Sequence, residues 1–171
     1  MGMHSPLPIG RVHVGEEPDD DDIAALAAGG FRSIVCLSRG GLGWEGSPAD
    51  HERAAAEASG LAFLRLTAAA GVTAETVREF REVMRVLPRP IYLHCGFGDR
   101  AATLALAAES DLLADPAATI DALAERGIHL PPRLIAELAE LRVQAACEGN
   151  LPERFSAPGG GKKIPALELA F

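Results

Sequence analysis

A cysteine followed five positions later by an arginine is the feature of this sequence best suited to chemistry. Cys95 and Arg100 flank a short segment with two glycines, and His94 comes directly before the thiol. The N–H groups of such a loop can converge on an anion, and the helix start that follows adds partial positive charge. The planar guanidinium of Arg100 can hold two oxygens of an oxyanion. Because these surroundings also favour a thiolate, we expect Cys95 to be a nucleophile with a lowered pKa.

Other polar residues near predicted strand ends could support this loop. Arg39 lies in a glycine-rich segment after a neighbouring strand and could add positive charge, with an ordinary surface position as the alternative. Asp50, together with His51 and Glu52, could supply an acid if its helix start faces the pocket, but we expect solvated positions for these three. The other two cysteines lack anion-binding surroundings. Cys36 is expected in the core and Cys147 in a structural position on the last helix.

The elements that position these residues are short apolar runs alternating with helical segments. Strands are expected at about 12–15, 31–37, 61–66 and 90–94, and helices at about 18–28, 48–59, 73–87, 100–110, 116–126 and 131–147. Strands separated by helices of about ten or more residues predict parallel βαβ units, and hence an α/β domain. Ligands bind such sheets at the carboxyl ends of the strands, which is where Cys95 lies.

The charge and hydropathy of the chain exclude several partners. The formal net charge of -8 argues against nucleic acid, which needs clustered Lys and Arg. No run of about 20 apolar residues is present, so no membrane partner is expected. The first ten residues lack the pattern of a secretory signal, which predicts a cytoplasmic protein. Three cysteines are too few for a disulfide framework, and the histidines lack ligand spacing. We therefore expect no metal site and no cofactor.

The chain is expected to form one domain with a tail. Residues 1–148 carry all of the predicted strands and helices, whereas residues 149–171 contain Pro152, Pro158 and three consecutive glycines and are expected to be extended. The tail ends in an apolar stretch over 164–171. If the protein forms a homo-oligomer, we expect that stretch to make the subunit contact.

Three segments in order carry a resemblance to a known family. They are GGFRSIVCLSRGG, GLAFLRL and LPRPIYLHCGFGDRAA. Over about residues 8–145 the sequence resembles the beta-lactamase hydrolase-like, phosphatase-like family, relatives of the dual-specificity and protein tyrosine phosphatases. The resemblance implies a three-layer α/β fold of the phosphatase-like type, with a central, mostly parallel sheet flanked by helices. It also implies a catalytic Cys95 and Arg100, a small anionic substrate, and a hydrogen bond from His94 that fixes the loop. The implied anion-binding backbone comprises Gly96, Phe97, Gly98 and Asp99.

Two departures from that pattern keep other functions open. The carboxylate of Asp99 should weaken phosphate binding unless it points outward, and the side chain of Phe97 replaces a small polar one. Tyrosine phosphatases place five residues between the cysteine and the arginine, whereas this chain has four, a spacing that resembles the rhodanese sulfurtransferase loop. The leading expectation is a cysteine-dependent hydrolase of a phosphomonoester. The alternatives are sulfur transfer through a persulfide on Cys95 and a non-catalytic anion-binding module.

Overall fold

Five strands form a single sheet with helices on both faces. The computed structural model describes residues 5–38, 48–68, 71–109, 115–136 and 138–140. The strands are β1 (Leu7–Ile9), β2 (Val12–Gly15), β3 (Ser33–Ser38), β4 (Ala62–Thr67) and β5 (Ile91–His94). The helices are α1 (Asp20–Ala28), α2 (Pro48–Ala58), α3 (Ala74–Val86), α4 (Asp99–Ala108) and α5 (Pro116–Glu125), and residues 132–136 and 138–140 are also helical.

The strand order β1-β2-β5-β3-β4 places β5 at the centre of the sheet. β5 pairs in parallel with both β2 and β3, and β3 pairs in parallel with β4. Only the β1–β2 pair is antiparallel. All four residues of β5 are buried, as its apolar sequence requires for a strand covered on both faces. The expected α/β fold with a mostly parallel sheet is therefore confirmed.

The alternation of side chains along β5 divides the core into two layers. Leu93 and Cys95 belong to the larger cluster, which also contains Phe80 of α3 and Leu104 of α4. Tyr92 belongs to the smaller cluster against α1 and α2. Since neighbouring residues of a strand face opposite sides, His94 and Cys95 are directed to different layers.

The strand β1 was not expected from the sequence. It has three residues with Pro8 in the middle, and a proline interrupts the alternating pattern by which strands are recognised. The position is tolerated because β1 is an edge strand that pairs only with β2 among the described strands. No helix in the described ranges is long and apolar enough to cross a lipid bilayer.

Candidate active site

The loop between β5 and α4 is a tight turn shaped by glycine. After His94 the chain bends through Cys95–Gly98, and α4 begins at Asp99. Gly98 is the N-cap of α4 and has φ of +81°, a conformation that strains any residue with a side chain. A methyl group on Gly98 would also lie 3.2 Å from the carbonyl oxygen of Gly15. The loop is thus packed closely against the carboxyl end of β2.

The thiol of Cys95 is enclosed by this turn, with 2% of the residue exposed. Burial is the main cause that raises the pKa of the thiol, and the charge of Asp99 adds to it. Hydrogen bonds from the backbone N–H groups of Ala101, Phe97 and Arg100 act in the opposite direction. The expectation of a lowered pKa is therefore wrong for the protein without a bound anion, because burial costs the thiolate more solvation than the three amides return.

Two charged side chains follow this sulfur in the sequence, those of Asp99 and Arg100. The thiol donates to Oδ1 of Asp99 at a distance of 3.5 Å, so this carboxylate points inward. Nη1 of Arg100 is buried and has no hydrogen-bond partner among the described residues. Gly96 is exposed. Phe97 is 82% exposed, so its side chain does not fill the turn and the backbone N–H groups there are not covered by it. The arrangement combines converging N–H groups with an unsatisfied guanidinium nitrogen, which suits an anion.

His94 makes its hydrogen bond away from the loop. Its Nε2 lies 2.5 Å from Oε1 of Glu52, its ring stacks on Tyr92, and its Nδ1 has no partner in the described part of the chain. Glu52 is 6% exposed, so the expectation of a solvated position is wrong for this residue. The first turns of α2 direct it toward the sheet, where it also meets the buried thiol of Cys36. Burial, together with the charge and hydrogen bond of Glu52, raises the pKa of Cys36.

Several solved structures share the fold that carries this loop. A DUF442 candidate phosphatase from Shewanella putrefaciens CN-32 superposes with a TM-score of 0.63 at 16% identity, over 84% of this chain and 92% of that one. PTPMT1 superposes with a TM-score of 0.61 at 18% identity, over 86% of this chain and 98% of that one. The chain has the protein tyrosine phosphatase-like fold.

A protein with lower sequence identity also has this fold. The core catalytic domain of the PP-IP phosphatase SIW14 from S. cerevisiae superposes with a TM-score of 0.62 at 13% identity, over 88% of this chain and 94% of that domain. No family model matches the chain, and no curated protein matches it. At such identities the likeness establishes the protein tyrosine phosphatase-like fold, and the chemistry has to be argued from the site.

The structure describes only some of the residues that were expected to support the loop. Asp50 is exposed on the first turn of α2. Arg39 and Cys147 lie outside the described residues, as does the tail over 149–171. Sequence reasoning missed the amide of Ala101 and the inward turn of Glu52. A donor set able to hold a metal ion, Cys36, Glu52 and His94, was missed as well. Its members are far apart in the sequence: strand pairing brings Cys36 and His94 together, and Glu52 reaches them from α2.

Proposed function

We propose that the protein is a cysteine-dependent hydrolase of phosphomonoesters. The Cys95 thiol first loses its proton to solvent. The Sγ thiolate then attacks phosphorus, the P–S bond forms as the P–O bond to the leaving group breaks, and a phosphocysteine results. Water then attacks phosphorus, the P–S bond breaks and orthophosphate leaves. Arg100 and the loop N–H groups hold the phosphoryl oxygens through both steps, where charge accumulates.

One observation carries this proposal. The buried sulfur of Cys95 accepts from three backbone N–H groups, those of Phe97, Arg100 and Ala101, within the turn that begins α4. A buried nitrogen of Arg100, without a partner in the described ranges, supplies a further donor. Nucleophile and oxyanion donors are thus found in one seven-residue segment, 95–101. The protein tyrosine phosphatase-like fold of the chain agrees with this chemistry.

The leaving oxygen also needs a proton, and this requirement limits the substrates. In phosphatases the donor is an aspartic acid on a loop after an earlier strand, but the segment 68–72 after β4 reads AAAGV and contains no acid. In this proposal solvent water protonates the leaving group. We therefore expect aryl phosphates with acidic phenols to react faster than alkyl phosphates.

Sulfur transfer is the second candidate, favoured by the four residues between Cys95 and Arg100 and by the lack of an acid in the segment that follows β4. In this reaction the thiolate attacks the outer sulfur of thiosulfate, the S–S bond breaks, and sulfite leaves with the electron pair. Cyanide then removes the sulfur from the Cys95 persulfide as thiocyanate and regenerates the thiolate. Neither step needs a proton donor for an alkoxide.

A single comparison separates these functions. The wild type, Cys95→Ser and the control Cys147→Ser are each incubated with an aryl phosphate and, separately, with thiosulfate and cyanide. Phosphate release lost only in Cys95→Ser supports the hydrolase, whereas thiocyanate formation with a sulfur adduct on Cys95 supports sulfur transfer. If the wild type turns over neither substrate but binds orthophosphate, the loop is an anion-binding module and both enzyme proposals fail.

A further inference from the structure

A second group of reactive side chains lies in the other layer of the core, on the face of β5 opposite to the one that Cys95 packs against. It consists of Cys36 from β3, Glu52 from α2 and His94 from β5, which we call the Cys36–Glu52–His94 cluster. Cys36 and His94 are register partners on adjacent parallel strands, so their side chains share a face of the sheet. Glu52 reaches them from the helix that covers this face. All three residues are at most 9% exposed.

The donor atoms of this cluster form a set that a metal ion can use. The sulfur, a carboxylate oxygen and an imidazole nitrogen all lie within 4.8 Å of one another. Thiolate, imidazole and carboxylate are the ligands that Zn²⁺ takes in proteins, at about 2.0–2.3 Å. Tetrahedral geometry at these bond lengths holds ligand atoms about 3.5 Å apart, so the sulfur need close by little more than 1 Å. The His94–Glu52 pair, now at 2.5 Å, would open by a similar amount.

An acidic cavity lies beside one member of the cluster. Glu52 also lines a cavity of about 470 Å³ at the first turns of α1 and α2. Four further carboxylates line it, those of Glu17, Asp19, Asp20 and Asp21. Asp19 caps α1 and Asp20 pairs with His51, so these groups have structural partners as well. Their combined negative potential nevertheless concentrates cations at the opening, and the cavity has room for water.

We propose that Cys36, Glu52 and His94 bind one zinc ion, with water from the acidic cavity as the fourth ligand. The ion replaces the proton of the Cys36 thiol, which leaves to solvent. The His94 ring binds through Nε2 as the neutral tautomer with its proton on Nδ1. The thiolate, the carboxylate and Zn²⁺ then sum to zero charge, which suits a buried site. Three protein ligands with one open position is an arrangement that zinc adopts in proteins.

The same contacts would also arise if Glu52 merely accepted hydrogen bonds from Cys36 and His94. Metal binding distinguishes the two cases directly. The full chain, reduced and dialysed against a chelator, is titrated with Co²⁺ while the near-ultraviolet charge-transfer absorption of cobalt–thiolate bonds is recorded. Zn²⁺ affinity is then measured by competition with a chromophoric chelator. The variants are Cys36→Ser and Glu52→Gln, and the controls are Cys95→Ser and Cys147→Ser.

We expect one Zn²⁺ per chain and a cobalt–thiolate band that disappears in Cys36→Ser but persists in both control variants. Glu52→Gln should keep the band and weaken Zn²⁺ binding by about 10-fold or more, as losses of a metal-site partner do. If Cys36→Ser does not fold, the Glu52→Gln affinity and the persistence of the band in both controls still decide the matter. Absence of the band in the wild type, or its loss in Cys95→Ser or Cys147→Ser, overturns the proposal. Neither readout depends on turnover, so the proposal stands or falls separately from the phosphatase assignment.

Discussion

Asp99 directs a carboxylate oxygen to within 3.5 Å of the sulfur of Cys95, at the first residue of α4. A carboxylate in the first turn of a helix is stabilising, because it complements the positive end of the helix dipole. The same positive end would otherwise be available to a bound anion. The helix start at the active loop is therefore partly neutralised by the chain itself, and it offers a dianion less attraction than the backbone geometry alone would provide.

Replacing this carboxylate should strengthen anion binding. Asp99→Asn keeps the size of the side chain and removes its charge, and we expect the Kd for orthophosphate to fall about 10-fold, which is a modest part of the repulsion between close charges near a protein surface. Isothermal titration calorimetry measures the change. Glu75→Gln, a charge removal in the exposed first turn of α3, is the matched control and should leave the Kd unchanged. An unchanged Kd in Asp99→Asn would mean that the carboxylate turns away when the anion enters.

The arginine of the loop should not be replaceable by lysine. Arg100→Lys keeps the charge but replaces a planar fork by a point charge, which loses the second of two parallel hydrogen bonds to an oxyanion. We expect orthophosphate binding to weaken by about 10-fold, the equivalent of a hydrogen bond to a charged group. Arg78→Lys on the exposed side of α3 is the control, with no effect on binding. Equal Kd values for Arg100→Lys and wild type would show that the guanidinium does not grip the anion.

The sequence predicts the positions of the strands, helices and active loop better than it predicts the electrostatics of the site. The apolar run 90–94 and the glycines after it were enough to place Cys95 at a strand end before a helix, because burial on both faces and turn formation leave strong local patterns. The pKa of Cys95 was predicted in the wrong direction, since burial depends on how α4 closes over the strand. In the sequence, Glu52 is one of several consecutive polar residues at the start of a helix, so nothing there distinguishes it as buried. Its partners Cys36 and His94 become neighbours only because β5 inserts between β2 and β3, which the order of strands in the sequence does not reveal.

Gly96 and Gly98 of the loop should respond differently to substitution by alanine, because only Gly98 has a left-handed backbone conformation and close neighbours. Gly98→Ala should destabilise the protein by about 1–2 kcal/mol, because a left-handed conformation strains any side chain. Its methyl group would also lie 3.0 Å from a side-chain carbon of Ile128. A methyl group on Gly96 meets nothing within 4 Å, so Gly96→Ala should change stability by less than about 0.5 kcal/mol. Urea denaturation of both variants tests this difference. Equal stability losses would contradict the conformation assigned to Gly98.

The far end of α4 is held by a buried carboxylate. Glu109, whose side chain is 0% exposed, accepts from the backbone N–H and from two guanidinium nitrogens of Arg11, at 2.8–2.9 Å. Arg11 follows β1 in the turn to β2, so the pair ties the end of α4 to the edge of the sheet.

Replacing Arg11 should destabilise the protein, because the carboxylate of Glu109 would stay buried without its cation. We expect Arg11→Met to lower the free energy of unfolding by about 2 kcal/mol, below the usual loss for a broken buried pair because the backbone N–H of residue 11 remains and the Arg11 side chain is 44% exposed. Arg11→Met combined with Glu109→Gln should recover at least half of the loss, since the amide oxygen still accepts from that N–H and no charge stays buried. Urea denaturation of the single and double variants measures both effects. A double variant less stable than Arg11→Met alone would show that the charge of Glu109 is stabilised by something other than Arg11.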